Sequence, residues 1–405
     1  MKEASVIQST RGPDPRLFRN KTYWMLSLII EFLAPCLKLS AWILTGKGVT
    51  SPQKWKKVLL VGDVHIGDLL YRTCSLPALK SALPGCSIYY LTSPSTAEVL
   101  EGNPALTGIL PWMTSDSPLD MANHHLKQLR EMKFDAVLAT NCIRYWPSLV
   151  LSLRIRAPNR VAFVHKGFSG LVTHPVPMNN PQPYPAYFRD YVAHLTNSSP
   201  DWPLIPRLYP AADDELSADI VWRHCAFDPT QPILACFVTT RQPTAVWPVA
   251  CFVKALSLLH QQTGAQIALC GAQQDRPLLE HLKRECAGVP SHVLAGTLKI
   301  KALSCFLKKC DAVLCTDSGP RHVANAVQRP VFFFRNLWSN AIESGSYLNT
   351  EHDLCPPQTE PLPVSRHSSI LSTITPEAVC ERVAHALRTG AMRHLPSVQH
   401  KDSEC

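Results

Sequence analysis

Two aspartates and a histidine stand in VGDVHIGDLLYRTCSLPALKSALPG, residues 61–85, where an apolar run gives way to a helix-period pattern. Asp63, His65 and Asp68 occupy the turn. A carboxylate there can take a proton from an attacking hydroxyl, or it can cap the helix that follows. The residues alone leave both readings open. A second stretch, AVLCTDSGPRHVANAV (312–327), ends a strand at Thr316, turns through Asp317, Ser318 and Gly319, and opens a helix at Pro320. Unbonded N–H groups and the dipole at such a start suit an anion. Gly319 lets a phosphate approach the backbone, and His322 on the first turn can donate to the same anion. Capping by Asp317 or Ser318, with His322 solvated, is the competing reading.

Two further stretches offer polar groups at strand ends. In CFVTTRQPTAVWP (236–248), Thr239, Thr240 and Arg241 supply hydroxyls and a guanidinium suited to phosphate oxygens. The alternative is a surface turn with an exposed arginine. In LCGAQQDRPLLEHL (269–282), Gln273, Gln274 and Asp275 can bond a ribose or base, or Asp275 can cap the next helix.

The elements that must position these residues follow one rhythm. KKVLLVGD, CSIYYLTS, FDAVLAT and RVAFVHK read as strands, with helical stretches such as LYRTCSLPALKSAL and ANHHLKQLREM between them. After a proline-rich stretch (173–185), a helix-like AYFRDYVAHL and a linker SSPDWPLIPRLYPAADDE, the rhythm restarts. PILACFVTT, AQIALCGA, SHVLAGT, DAVLCTDS and PVFFFR are five more strand candidates. TPEAVCERVAHALRTG predicts a final helix with Thr375 as cap, Pro376 at its first position and Gly390 at its end. Strand–helix alternation predicts an α/β protein with two doubly wound parallel sheets. Ligands then belong at the carboxyl ends of the strands, one in each domain, facing a shared cleft. The expected domains are an arm at 1–55, a first α/β domain at 56–205, a second at 206–390, and a disordered tail at 391–405.

Composition narrows the class. Over 405 residues, 46% hydrophobic and 18% charged residues describe a globular chain. Fifteen scattered cysteines with no CxxC and no zinc spacing predict free, buried thiols in a reducing cytoplasm, and the polar first twenty residues show no cleavable signal. The net charge is +9, yet residues 1–57 carry ten Lys/Arg against three Asp/Glu. Such an arm points to an anionic partner. Within it, residues 23–47 are long enough to span a bilayer. Glu31, Pro35 and Lys38 argue against spanning. With Ser27 they line one narrow polar stripe, the pattern of an amphipathic helix lying in a membrane interface. Packing on the protein's own core is the other reading. The arm lacks a readable nucleic-acid module, so nucleic acid is not expected as a partner.

Taken in order, IGDLLYRTCSLPALKSALPGCSIYYLTSPSTAEVLEGNPAL, TTR…WP, GAQQDRPLLEHL and LAGTLKIKALSCFLKKCDAVLCTDSGPRHVANAV resemble the lipopolysaccharide heptosyltransferases of glycosyltransferase family nine, over roughly residues 57–388. The resemblance implies two Rossmann-like domains in the GT-B arrangement. It implies inverting transfer of a heptose from ADP-heptose to the lipopolysaccharide core. The acceptor would sit on the N-terminal domain and the ADP-sugar on the C-terminal one, with the final helix folding back towards the first. Asp68 matches the family's proposed general base. Thr239, Thr240, Asp317, Ser318, Gly319 and His322 match its nucleotide and phosphate loops, with Arg241 and Gln274 beside them. His65, Arg144 and Lys166 are the acceptor-side candidates. The implied mechanism needs no resident metal or cofactor, because dipoles and side chains can stabilise the diphosphate. A glycolipid acceptor fits a protein held peripherally on the inner face of the cytoplasmic membrane.

The match has gaps. Where the family often carries a phosphate-contacting lysine before Trp-Pro, Ala245 and Val246 stand before Trp247-Pro248. The ribose-side glutamate is replaced by Gln274, and the Gly-Pro loop after the last strand by RNLWSN. Gly62 and Val64-His65 stand where many members have arginine and small polar residues. Two alternatives therefore remain: a relative using another nucleotide sugar or acceptor, and a catalytically degenerate nucleotide- or glycolipid-binding membrane partner.

Overall fold

A computed structural model describes residues 21–46, 48–62, 65–178, 181–240, 246–335, 337, 339–357, 362–363 and 366–388. Asp63, Arg241, Gly390 and the expected tail at 391–405 lie outside the described residues. Two compact units divide the chain, Met1–Tyr209 and Pro210–Cys405.

Each unit is built on a six-stranded, all-parallel sheet. The first contains β1 (Lys57–Val61), β2 (Ser87–Leu91), β3 (Gly108–Leu110), β4 (Ala136–Ala139), β5 (Asn159–Phe163) and β6 (His174–Val176), in the order β3-β2-β1-β4-β5-β6. The second contains β7 (Ile233–Phe237), β8 (Gln266–Leu269), β9 (Ser291–Val293), β10 (Ala312–Thr316), β11 (Val331–Phe334) and β12 (Glu351–Asp353), in the order β12-β11-β10-β7-β8-β9. Counted from its own first strand, each sheet runs 3-2-1-4-5-6, the doubly wound order in which the winding reverses beside the first strand. The central strands β1, β4, β7 and β10 are buried nearly end to end, which is why they read as unbroken apolar runs.

The two sheets share a device that fixes their register. Asp135, one residue before β4, accepts the backbone N–H groups of Lys56 (2.8 Å) and Lys57 (3.0 Å) at the start of β1. Asp311, one residue before β10, accepts the N–H of Ile233 at the start of β7 (2.8 Å). At the other end, Thr140 donates from Oγ1 to Val61 O (3.0 Å) and Thr316 to Thr239 O (2.8 Å). The repeated string Asp-Ala-Val-Leu-x-Thr thus pins the fourth strand to the first in both units.

Three strands escaped the sequence reading. β3, β6 and β12 are three residues each, too short for a periodic signal. β6 sits inside the proline-rich stretch, and as an edge strand it tolerates Pro175. The final helix, Pro376–Arg388, packs within the second unit. Val379, Cys380 and Val383 join Phe252, Leu256 and Leu259 of the helix Val249–Thr263 in one core, and Trp247 Nε1 donates to Ile374 O (3.0 Å). Thr375 Oγ1 accepts the N–H of Ala378, as its reading as a cap requires.

The arm is not one helix. It consists of two, Lys21–Phe32 and Ala34–Thr45, broken at Leu33 and bent by 63°. Pro35 lies in the first turn of the second helix, where its missing N–H is harmless. The expected polar stripe is split by the bend: Ser27 is buried and Glu31 half-buried, while Pro35 and Lys38 are exposed.

Candidate functional site

The second unit gathers most of the donor-side residues at one place. β7 leads out to Thr239 and Thr240, both half-buried, and β10 leads out to Asp317, Ser318 and Gly319. These strands are neighbours on either side of the switch in winding, and the bond from Thr316 Oγ1 to Thr239 O ties their exits together. The switch point is where open α/β sheets bind ligands.

The helix Gly319–Ala326 starts there, with Ser318 as its N-cap residue in extended conformation and no side-chain capping bond. The Ser318 hydroxyl instead lies 3.3 Å from Thr316 Oγ1 and 3.3 Å from Thr316 O. The sequence reading offered capping by Ser318 or Asp317 as the plain alternative. Asp317 is engaged otherwise. Its Oδ1 accepts from Arg321 Nη1 at 2.9 Å. Arg321 is buried, and its remaining donors reach Glu351 Oε1 (2.6 Å), Ser344 O (2.8 Å) and Gly345 O (2.6 Å). Its guanidinium also lies over the Phe333 ring at 3.7 Å. Burial disfavours the charge, but the Asp317 and Glu351 carboxylates more than offset this and hold Arg321 firmly protonated. Glu351 is fully engaged in turn, accepting from Asn325 Nδ2 and the N–H of Tyr347 as well.

His322 is not a solvated residue. It is buried, its Nδ1 lies 2.7 Å from Tyr347 Oη, and the two rings stack. Burial, and then the Arg321 charge beside it, push its pKa down to about 4. The imidazole is therefore neutral at neutral pH. A neutral imidazole keeps one ring N–H, so it can donate a hydrogen bond without carrying a charge.

Gln274 is exposed in the turn Gln273–Asp275 beyond the carboxyl end of β8, the strand beside β7. Asp275 precedes the helix Arg276–Glu285 but makes no side-chain capping bond to it, contrary to the capping reading; its carboxylate turns back to accept the N–H of Ala272 at 2.7 Å, closing the turn before it.

In the first unit the candidates also fall at strand exits. Asp68 occupies the first turn of the helix Ile66–Arg72, and His65 is its N-cap residue, without a side-chain capping bond. The His65 ring lies 3.8 Å from the Asp116 carboxylate. Arg144 and Lys166 follow β4 and β5, and the structure brings them together. Lys166 Nζ donates to Ile143 O (3.1 Å), one residue before Arg144, whose guanidinium lies over the Trp146 ring. Tyr145 fixes both loops by accepting the Lys166 N–H and donating to Gly167 O, each at 2.9 Å.

Gly62, at the exit of β1, has a steric cause. A Cβ there would lie 2.3 Å from Tyr90 Cε1 and 2.5 Å from its hydroxyl, and Tyr90 is fully buried. A side chain at 62 therefore requires the Tyr90 ring to move.

Arg321, Tyr347 and Glu351 were missed in the sequence reading. The four-residue spacing of Asp317 and Arg321 was a usable signal for the first. Tyr347 and Glu351 come from a distant loop and strand and carry no local pattern.

A family model described as glycosyltransferase family 9 (heptosyltransferase) matches residues 123–333. Lipopolysaccharide heptosyltransferase 3 of Escherichia coli K12 is 26% identical over 322 residues, covering 71% of this chain and 88% of that protein. A family-nine glycosyltransferase structure from Veillonella parvula superposes with a TM-score of 0.68 at 18% identity, covering 83% of this chain and 98% of the other. The E. coli heptosyltransferase WaaC with ADP superposes with a TM-score of 0.60 at 17% identity, covering 82% and 99%. These two likenesses establish the fold.

Proposed function

The chain belongs to glycosyltransferase family 9, and from that premise we propose that it transfers a heptose from ADP-heptose to the lipopolysaccharide core or a related membrane glycolipid, with inversion at the anomeric carbon. One observation carries the donor half of this reading. The exits of β7 and β10 are tied at the switch point, so Thr239, Thr240, Ser318 and the start of the helix Gly319–Ala326 converge on one spot suited to a diphosphate. Relatives bearing heptosyltransferase names, and the solved structure with ADP, support the choice of donor.

In this reading the diphosphate leaves towards the helix start. Backbone N–H groups and the neutral His322 would stabilise its growing charge. Pairing with Arg321 offsets the Asp317 charge, so the acid repels the phosphates less than an isolated carboxylate would. Asp68 would take the proton from the acceptor hydroxyl as its oxygen attacks the anomeric carbon from the opposite face. Arg144 and Lys166, joined through Ile143 O, would hold anionic groups of the acceptor.

A second reading keeps the chemistry and changes the donor or acceptor. The sequence Ala245-Val246, where the family often has a phosphate-contacting lysine, favours it.

Calorimetric titration with ADP, UDP and GDP separates the readings. Selective ADP binding, weakened about 10-fold or more by Ser318→Ala or His322→Ala, is the expected result. Preference for another nucleotide moves the function to a different donor. Failure of a folded protein to bind any nucleotide or nucleotide sugar overturns both and leaves a degenerate binding partner.

A further inference from the structure

The arm is turned inside out. Two polar residues of the first helix face the protein, while Lys38 on the second is exposed: Ser27 is buried, and Glu31 accepts the backbone N–H of Ser169 at 3.2 Å and the Ser169 hydroxyl. Its apolar residues face outwards. Phe32 is 85% exposed, Trp42 64% and Ile43 65%, with Met25, Ile29 and Leu39 likewise uncovered. A helix pair stabilised by water would show the reverse pattern.

The seat of the arm is built for it. The string Lys-Gly-Phe-Ser-Gly (166–170) runs beneath both helices. A Cβ at Gly170 would lie 2.2 Å from Ala34 O. Gly167 takes a left-handed conformation (φ 90°), and a Cβ there would lie 3.2 Å from Ser27 O. A side chain at 170 would displace the arm, and one at 167 would be strained by the left-handed backbone, so the outward face is fixed by specific contacts rather than left over from loose packing.

We propose that the outward face of the helices Lys21–Phe32 and Ala34–Thr45 is a docking surface for an anionic lipid bilayer. Charge selects this occupant. Residues 1–57 hold a net +7 of the chain's +9, most of it in the sequence on either side of the helix pair, and this basic segment is attracted to an acidic surface. Geometry selects lying over spanning. Among the described residues no single helix is long and apolar enough to cross a membrane, and the pair is bent by 63°. Trp42 and Phe32 are the anchors, and a tryptophan suits the headgroup level. The inference stands whatever sugar is transferred. Its consequence for the proposed chemistry is that the loop bearing Lys166 is held against the docked helices by Glu31, close to the lipid surface.

Co-sedimentation of the full chain tests this, using vesicles of phosphatidylcholine alone and of phosphatidylcholine with phosphatidylglycerol. The wild type is expected to pellet with the anionic vesicles and to be released by salt. The double variant Phe32→Asp/Trp42→Asp is expected to lose at least about 10-fold in vesicle affinity, with its thermal midpoint unchanged because both side chains are exposed. Absence of wild-type binding, or equal binding by the variant, overturns the proposal. So does a wild type that is dimeric without lipid and becomes monomeric on the double substitution, which would assign the face to a second copy.

Discussion

Arg321 reaches back one helical turn to the Asp317 carboxylate at 2.9 Å, and forward to Glu351 on the edge strand β12 at 2.6 Å. The acid at the exit of β10 is therefore paired by its own helix, and that helix is stapled to the far edge of the sheet. The proposed anion site and the fold of the second unit depend on the same buried charge.

Glu351→Ala is expected to destabilise the second unit by about 3–5 kcal/mol, because it strands a buried guanidinium and leaves the N–H groups of Tyr347 and Leu348 without their acceptor. Urea unfolding of the full chain reads this as an earlier transition. A surface pair such as Lys254–Glu377, exposed at both partners, sets the contrast: Glu377→Ala should leave the unfolding transition nearly unmoved.

The buried His322 predicts an acid-sensitive fold. Its folded pKa of about 4 lies below the ordinary value of 6.5, so the unfolded chain takes up a proton first as pH falls. The contribution is fully present above pH 6.5 and is lost as pH falls through about 4. It amounts to about 3 kcal/mol. His322→Asn should flatten the difference in stability between pH 7 and pH 4.5, measured by denaturant unfolding at each pH. An unaltered slope would show that burial does not shift the imidazole from its unfolded pKa.

The fold was largely legible because buried central strands write themselves as apolar runs. β1, β2, β4 and all of β7 to β11 fall within the strand candidates, and β5 starts one residue before its own. The short edge strands β3, β6 and β12 were not, because three residues leave no pattern; β9, as short and also at an edge, was caught because the apolar run continues through Leu294 and Ala295. Internal duplication was present as Asp-Ala-Val-Leu-x-Thr at 135–140 and 311–316, but its meaning needs the bonds to Val61 and Thr239. At the site, Asp317, Ser318 and Gly319 announced a turn before a helix. That Asp317 is held by Arg321, and His322 by Tyr347, depends partly on a loop some twenty-five residues away. The arm misled for a related reason: period alone gives a polar stripe, while the proline near its middle decides that the stripe is cut.

Gly62 and Tyr90 form a steric pair, so Gly62→Ala is expected to cost about 1–3 kcal/mol by forcing the buried ring to move. The second substitution Tyr90→Leu, in the Gly62→Ala background, should recover part of that loss. A double-mutant cycle by thermal unfolding checks it, with a coupling of at least about 0.5 kcal/mol expected for groups in direct contact. Additive effects would place the cost of the alanine elsewhere.

Asp68 tests the proposed chemistry most directly. It stands in the first helical turn, where a carboxylate also interacts favourably with the helix dipole, so a stability role and a proton-transfer role must be told apart. Asp68→Asn keeps the shape and removes the base. Turnover should fall by about 100-fold or more, while the thermal midpoint shifts little and nucleotide affinity is unchanged. A merely structural aspartate gives the opposite pattern: a lowered midpoint with turnover per folded molecule retained. The pH profile separates the two further, because loss of a general base removes the acidic limb of kcat/KM, whereas loss of a helix-stabilising charge leaves that limb in place.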